Sequence, residues 1–216
     1  MNFIFSSPSL DDLIRLLKAW RFWVLGAVIG GLLGTVVYYV APPPYRARAT
    51  VNVDFNLEEA FPTETDRQYF YYLERETRKL VEVAWSDEVL SELLVFSAEQ
   101  LHFSMNELRD EKLSLAQPME AGWHFYAEDS IPQVATTLAS VWANAFVEKV
   151  QEEIELGNIN EFVKLEVTQA ENLPTERSIP LSSFLLAGSS SFLLLAVFAV
   201  LLMKPKIGTQ INADSR

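Results

Sequence analysis

Carboxylates are the most abundant side chains in this sequence that could take part in catalysis or metal binding. The 216 residues hold 29 Asp and Glu against 17 Lys and Arg, for a net charge of −12. A carboxylate pair that performs acid–base catalysis needs burial or a neighbouring charge to separate its two pKa values. The acidic clusters, which lie in predicted polar loops and helix starts, include Glu58, Glu59, Glu64 and Asp66, then Asp87, Glu88, Glu92 and Glu99. We interpret both clusters as solvated surface.

The sequence contains few residues that are suited to metal binding or to nucleophilic catalysis. The sequence has no cysteine, and its two histidines, His102 and His124, lack the spacing of a helical ligand pair. It contains no calcium loop, no G-x-S-x-G turn and no glycine-rich phosphate loop. We therefore predict a protein that is not an enzyme and that has no catalytic residue, metal site or cofactor site. Its acidic balance also argues against a nucleic-acid partner.

Some aromatic and glycine residues are candidates for ligand binding or helix packing rather than for catalysis. Trp85, Trp123 and Trp142 could stack on sugar rings, but each lies in an apolar pattern that favours core packing. A second candidate is the strip of Gly26, Gly30 and Gly34, spaced i, i+4, i+8. On a helix these glycines would let another helix approach closely. That helix is either the chain's own second apolar run, where residues 188–191 are also small, or a helix of another subunit.

The glycine strip belongs to the first of two long apolar runs. Residues 22–45 and 178–203 carry no charge for 24 and 26 residues, and about 20 apolar residues span a bilayer core. We predict membrane-spanning helices at 22–41 and 178–203. The alternatives are a cleaved signal peptide for the first run and a buried core helix for the second. The long charged segment before the first run and the lysines after the second argue against them.

The Lys and Arg bias predicts the orientation of the chain. Residues 1–21 have a net charge of +1 and residues 204–216 a net charge of +2, whereas residues 46–177 have a net charge of −15. Positive flanks stay in the cytoplasm. We therefore expect a cytoplasmic N-terminal segment 1–21, an extracytoplasmic domain 42–177 and a cytoplasmic tail 204–216 in a cell inner membrane.

The region between the two runs alternates between strand and helix patterns. Period-two alternation and short apolar stretches predict four strands, at 46–56, 112–116, 123–127 and 162–170. Helical spacing predicts three helices, beginning near Thr65, Ser86 and Ser130. The first of them is expected to bury Phe70, Leu73, Thr77, Leu80 and Ala84. The order β-α-β-β-α-β predicts an α+β, ferredoxin-like domain whose first and last strands are antiparallel neighbours.

Four segments carry a resemblance to a known family. They are the amphipathic lead at residues 11–21, the junction Pro-Tyr-Arg-Ala-Arg-Ala at 44–49, the helix region 129–147 and the proline-containing segment 170–180. Together with the two terminal runs, they resemble the Wzz-type polysaccharide co-polymerases, the chain-length determinants. Only residues 157–160 separate the third predicted helix from the last strand. This chain is therefore similar to the short, capsule-type members.

The resemblance implies a function without catalysis. It implies an oligomeric scaffold that regulates the chain length of a surface polysaccharide, such as O-antigen, capsule or exopolysaccharide, made by a partner polymerase. It also implies that Pro44, Tyr45, Pro174 and Pro180 form the junction between membrane and domain. Contact with the growing glycan and with a separate cytoplasmic tyrosine kinase are further partners that it leaves open. The alternative is a two-span adaptor or sensor that activates a cytoplasmic partner such as a tyrosine kinase.

Overall fold

A computed structural model describes residues 14, 16–60, 66–97, 103–117, 122–169 and 173–202. It forms two compact units, one of residues 1–42 and 179–216 and the other of residues 43–178. The described part is a mixed α+β protein, in which an antiparallel sheet lies in sequence between two apolar helices. Several predicted features lie outside the described residues: His102, Glu64, Glu99, residues 1–13 and the tail 204–216.

The first unit is a pair of packed helices, here called the apolar hairpin. Helix α1 covers Trp20–Val40 and helix α5 covers Leu181–Leu202, and both are long and apolar enough to cross a membrane. They pack against each other, while most of their large aliphatic side chains are exposed. Only 6% of the most apolar part of α5 is buried. The alternative of a soluble core helix therefore does not fit α5.

The second unit, here called the domain, is built on an antiparallel sheet. Its strands are β1 (Tyr45–Asp54), β2 (Leu113–Ala116), β3 (Trp123–Asp129), β4 (Lys164–Gln169) and β5 (Thr175–Arg177). The strand order is β2-β3-β1-β4, and every neighbouring pair is antiparallel. The expected pairing of the first and last predicted strands is confirmed, with Val53 opposite Leu165. Strand β5 pairs with the start of β1, on the same edge as β4.

Helices cover one face of this sheet. They are α2 (Asp66–Ala84), α3 (Asp87–Ser97) and α4 (Pro132–Glu155), with short turns at Leu57–Ala60 and Met105–Glu107 and a π-helical turn at Leu108–Lys112. Helix α4 packs on β1 and β3, and α2 and α3 pack on α4. The core centres on Trp142, Phe125 and Phe146, which are fully buried. Because β1 alternates buried Ala47 and Ala49 with exposed arginines, only one face of the sheet is covered.

Capping residues lie at the ends of several of these elements. The Ser86 hydroxyl accepts the Val89 N–H at 3.3 Å, and the Ser104 hydroxyl accepts the Glu107 N–H at 3.2 Å. Gly157 follows α4 with a φ of +78°, a conformation that favours glycine after a helix. The predicted helix start at Ser86 is confirmed.

The buried face of α2 differs from the predicted one. Phe70 is exposed, and the buried positions of this helix are Tyr72, Glu76, Leu80 and Ala84. The reason is the helical phase: the Tyr72 ring packs edge-on against Phe55, which follows β1, at 6.5 Å between centroids. With Tyr72 turned inward, the 100° step between residues turns Phe70 towards solvent. The expectation that Phe70 is a core residue was wrong.

Candidate functional site

The glycine strip of α1 lies against α5. A methyl group added at Gly30 would overlap the carbonyl group of Gly188, and one added at Gly34 would overlap the carbonyl group of Phe184. At Gly26, an added methyl group would lie 3.0 Å from the Phe192 carbonyl oxygen. Backbone therefore meets backbone along this contact, which we call the glycine seam (Gly26, Gly30, Gly34 and Gly188). A close approach of this kind needs residues without a Cβ.

The glycine seam identifies the helix that packs against Gly26, Gly30 and Gly34. Its partner is the second apolar helix of the same chain, so the three glycines are covered within one molecule. Beside the seam, α1 and α5 form an open apolar groove of about 540 Å³. Its lining includes Trp23, Ala27, Gly31, Thr35 and Ser189.

Polar contacts clamp the two ends of the domain together. The Ser178 N–H donates to the Pro44 carbonyl at 2.9 Å, and the Arg177 guanidinium donates to the Pro43 carbonyl at 2.6 Å. The same guanidinium lies 3.7 Å from the centroid of the Tyr45 ring, a cation–π distance. Tyr45 and Arg177 are also register partners in the β1–β5 pair. The first and last residues of the domain therefore lie side by side.

The two remaining junction residues have different surroundings. Pro174 is exposed and directly precedes β5, so it marks the break between β4 and β5 along one edge of the sheet. Pro180 is exposed directly before α5 and accepts the Ser183 N–H at 3.0 Å. Pro180 belongs to the hairpin unit, whereas Pro44, Tyr45 and Pro174 belong to the domain unit. The four predicted residues are therefore divided between the two units.

Acidic and tryptophan residues match their interpretation from the sequence. The acidic members of the two clusters whose burial is described are exposed: Glu58, Glu59, Asp87, Glu88 and Glu92. Trp123 and Trp142 are buried, and Trp85 is half-buried with its ring 4.9 Å from that of Trp142. The interpretation of core packing is confirmed for these tryptophans.

His124 lies on the uncovered face of the sheet. Its Nδ1 is 3.2 Å from the Thr50 hydroxyl, across the β1–β3 pair. Burial, with a further contribution from the Arg48 charge, lowers the pKa of His124 below its usual value. Among the described residues, no group of three or more His, Asp and Glu side chains is placed to hold a metal ion.

A buried carboxylate on α2 was not foreseen from the sequence. Glu76 is fully buried and accepts hydrogen bonds from Arg75 Nε at 2.8 Å, Lys79 Nζ at 3.2 Å and the Asn160 N–H at 3.3 Å. Lys79 also donates to the Asn158 carbonyl at 2.7 Å. These bonds hold α2 to the loop that follows α4. In the sequence, a glutamate beside an arginine and three residues before a lysine is typical of an exposed helix surface.

The outer surface of α2 carries exposed aromatic and basic side chains. Phe70 and Tyr71 are 65% and 56% exposed, and the Arg67 guanidinium carbon lies 5.9 Å from the Tyr71 ring centroid. Arg75 and Arg78 continue this surface along the helix, with side chains 61% and 71% exposed. We call these five residues the aromatic-basic face. The run Tyr69-Phe70-Tyr71-Tyr72 was the signal for it, because a helix cannot bury four consecutive aromatic residues on one side.

Comparison with known proteins yields no match, either to a family model or to a curated protein sequence. The family resemblance therefore depends on the segments that carry it in the sequence. The main features of the described residues are two sets of internal contacts, the glycine seam and the clamped ends of the domain, and one exposed surface, the aromatic-basic face.

Proposed function

We propose that this protein is a non-catalytic, oligomeric membrane scaffold that regulates the chain length of a surface polysaccharide made by a partner polymerase. In this proposal α1 and α5 span a cell membrane, and the domain of residues 43–178 lies outside the cytoplasm. The exposed aliphatic surface of the hairpin supports a membrane location, because soluble proteins rarely expose large continuous apolar patches. The positive flanks support cytoplasmic termini.

The observation that carries the proposal is the clamp between the two ends of the domain. Its first and last residues are joined through the β1–β5 pair and the 2.9 Å bond from Ser178 to Pro44. A domain inserted between two membrane helices needs its ends close together, because both must return to the same membrane. This arrangement agrees with the one that the resemblance to the Wzz-type co-polymerases implies.

The strand order supports the finer classification of the domain. The order β2-β3-β1-β4, with antiparallel neighbours throughout, fits the ferredoxin-like arrangement expected from the sequence. Helix α3 and the turns at Met105–Glu107 and Leu108–Lys112 are additions between β1 and β2. Strand β5 is a further addition after β4. We therefore propose a ferredoxin-like domain with insertions.

The buried carboxylates of the domain support a structural role rather than acid–base catalysis. Glu76 is held by two cations and a backbone N–H. Asp129 accepts bonds from Lys112 at 2.8 Å, from the Ile131 N–H and from Ser130. Burial acts to raise the pKa of Asp129, but these bonds outweigh it and hold the pKa below its usual value. Both carboxylates are therefore engaged in holding helices and loops.

Gene deletion followed by gel analysis of surface glycan tests the function. Loss of a chain-length regulator should change the distribution of polymer lengths, and the wild-type gene should restore it. A two-span adaptor would instead change the amount of glycan or the phosphorylation of its partner, with the length distribution unchanged. That second pattern would overturn the proposal.

Reporter fusions and mass measurement test the location and the assembly. A reporter after Arg216 should lie in the cytoplasm, and one inserted at Gly122 should lie outside it. Native mass spectrometry of the full-length protein in mild detergent and nanodiscs should show an oligomer. A protein that stays monomeric in all of these media would contradict the scaffold and favour the adaptor.

A further inference from the structure

We propose that the aromatic-basic face of α2 is a subunit interface, and that it docks on an acidic surface of a second copy of this chain. That acidic surface, here called the acidic ridge, consists of Glu88 on α3 and residues 148–155 at the end of α4. The inference rests on the proposed oligomeric function and deepens it, since it names the surfaces that would join the subunits.

The exposed aromatic pair is the first observation. Phe70 and Tyr71 are more than half exposed, and their ring centroids are 6.3 Å apart in an edge-on arrangement. Exposed aromatic side chains next to arginines have the composition of interface centres, where tyrosine, phenylalanine and arginine are enriched. By contrast, Tyr72, the next aromatic residue on the same helix, is buried in the domain. The folded domain therefore leaves this pair available for another surface.

The charge of this face is the second observation. Residues 67–79 hold four Lys and Arg against two Asp and Glu, so they carry +2, and the whole of α2 with Asp66 and Glu82 is neutral within a region whose net charge is −15. One of the two acids, Glu76, is buried beneath the helix, and the other, Glu74, pairs with Arg78 at 3.2 Å. Arg67 stacks on Tyr71 instead of forming an ion pair among the described residues. A basic surface on a strongly acidic protein favours an acidic partner.

The acidic ridge has the complementary charge. Three carboxylates converge on one ammonium group: Lys149 Nζ lies 2.7 Å from Glu88, 2.9 Å from Glu152 and 3.2 Å from Glu153. These four groups together leave a charge of −2. Glu148 and Glu155 lie on the same helix segment and are exposed, which adds to the negative potential. The charge of the ridge is therefore opposite to that of the aromatic-basic face.

The charges also determine how two copies can meet. A contact between two aromatic-basic faces, or between two ridges, would place like charges together. A contact between the face of one copy and the ridge of the next pairs opposite charges. Where one such contact joins two copies, one face and one ridge stay free at its ends, so the contact repeats and can close into a ring; two reciprocal contacts would instead close a dimer.

The glycine seam itself does not join subunits. Gly26, Gly30 and Gly34 are covered by the chain's own α5, so this strip cannot hold a neighbouring subunit. Two domains with a charge of −15 repel each other in dilute solution, which predicts weak association of the domain alone. Confinement in a membrane raises the effective concentration, so a weak contact between domains suffices there.

Cysteine cross-linking tests the interface on a background without native cysteine. Two differently tagged full-length chains, Tyr71→Cys and Glu148→Cys, are co-expressed and oxidised in their membranes. Disulfide-linked dimers that carry both tags are expected from the mixture, and neither variant should cross-link when expressed alone. The matched control pairs Tyr71→Cys with Glu166→Cys, an exposed position on β4, and should give only background cross-linking.

Two results would overturn the inference. One is cross-linking of Tyr71→Cys with itself, which would indicate that two aromatic-basic faces contact each other. The other is a mixture without two-tag dimers whose chains are oligomeric by native mass spectrometry; the proposed scaffold would then stand and only this interface would fall. Monomeric chains would overturn the scaffold as well.

A non-covalent measurement separates a subunit interface from a glycan-binding surface. Replacing Phe70 and Tyr71 together by Ala should weaken subunit association about 10- to 100-fold, since central aromatic residues dominate such contacts. Mass photometry of the full-length protein over a dilution series would show smaller species at each concentration. If glycan length changes while the oligomer of this variant stays intact, the pair binds glycan and the inference is wrong.

Discussion

The apolar hairpin and the domain hold themselves together with opposite kinds of residue. The hairpin packs through its smallest residues, with Gly30 and Gly188 in backbone contact. The domain packs through its largest, with the rings of Trp142 and Phe125 4.9 Å apart at its centre. This difference follows from the surroundings that we propose for each region. In lipid, helices gain no hydrophobic free energy when they associate, so close van der Waals contact stabilises their packing. In water, burial of large apolar surface is the main source of packing free energy.

Both regions have side-chain hydrogen bonds within one helix, such as that from Thr136 to Pro132 in the domain, and the domain also has such bonds between elements. In the hairpin, the Thr35 hydroxyl donates to the Gly31 carbonyl on the same helix at 2.9 Å. In the domain, the Trp142 indole N–H donates to the Ala84 carbonyl on another helix at 2.8 Å. Local bonds suit a segment that has only lipid around it, because no water can complete them. Bonds between elements suit a core that must fix helices relative to each other.

The largest expected effect is that of Trp142→Ala. The change removes a fully buried indole and leaves the Ala84 carbonyl without its donor, and truncations of this kind cost about 3–5 kcal/mol of folding free energy. Hydrogen-exchange mass spectrometry on the full-length protein in detergent should show lost protection across residues 43–178. Protection of α1 should persist, because the hairpin is a separate compact unit. Equal loss of protection in both units would break the comparison.

The next effect compares two neighbouring glycines in α1. Gly30→Ala places a methyl group on the backbone of α5, which cannot move aside, and we expect a loss of about 1–3 kcal/mol in hairpin stability. Gly31→Ala is the matched control, since its methyl group would meet only the Ser189 hydroxyl, at 2.9 Å, and that side chain can rotate. Thermal unfolding in detergent, with the hydrogen-exchange protection of α1 as the readout, compares the stability of the two variants. Equal effects of both variants would argue against the glycine seam.

Local patterns explain which parts of the structure were predictable from the sequence. The alternation in β1, the helix start at Ser86 and the long apolar runs each depend on a few residues or one helix, so the sequence alone predicted them. Strand β5 has only three residues, too few for a pattern. The sequence could not identify the helix that packs on the glycine strip, because the residues of one helix face do not specify which helix covers them. Glu76 was missed because its burial depends on the loop after α4, far away in sequence.

The third effect compares two glutamates on α2. Glu76→Ala leaves the Asn160 N–H without its acceptor and removes one of the two acceptors of Lys79, and the loss of a buried acceptor costs about 2 kcal/mol. Glu74→Ala removes an exposed partner of Arg78, and exposed pairs of this kind contribute about 0.3–0.5 kcal/mol. Urea unfolding of the full-length protein in detergent, followed by near-UV circular dichroism, gives both values. A Glu74→Ala variant that loses as much stability as Glu76→Ala would refute the buried network.

The smallest effect concerns pH and is confined to the domain, since neither α1 nor α5 contains a histidine. Burial, together with Arg48, holds the pKa of His124 below its value of about 6.5 in the unfolded chain. The unfolded state therefore binds the proton first as pH falls. The stability contributed by neutral His124 is complete above pH 6.5 and decreases as pH falls from there towards the folded-state pKa. Asp129 acts in a separate window, because its lowered pKa affects stability only below about pH 4.

Urea unfolding at pH 7, 6 and 5 should therefore show a decrease in domain stability with decreasing pH, and His124→Gln should flatten it. Glutamine keeps a polar group near the Thr50 hydroxyl, which lies 3.2 Å from the histidine ring, but it does not titrate. Any slope that remains in this variant reports the other titratable groups, of which His102 is the only other histidine in the sequence. Exchange protection of α1, corrected for the intrinsic rate at each pH, should stay constant over the series. An unchanged slope in His124→Gln would show that the titration of His124 does not cause the pH dependence of domain stability.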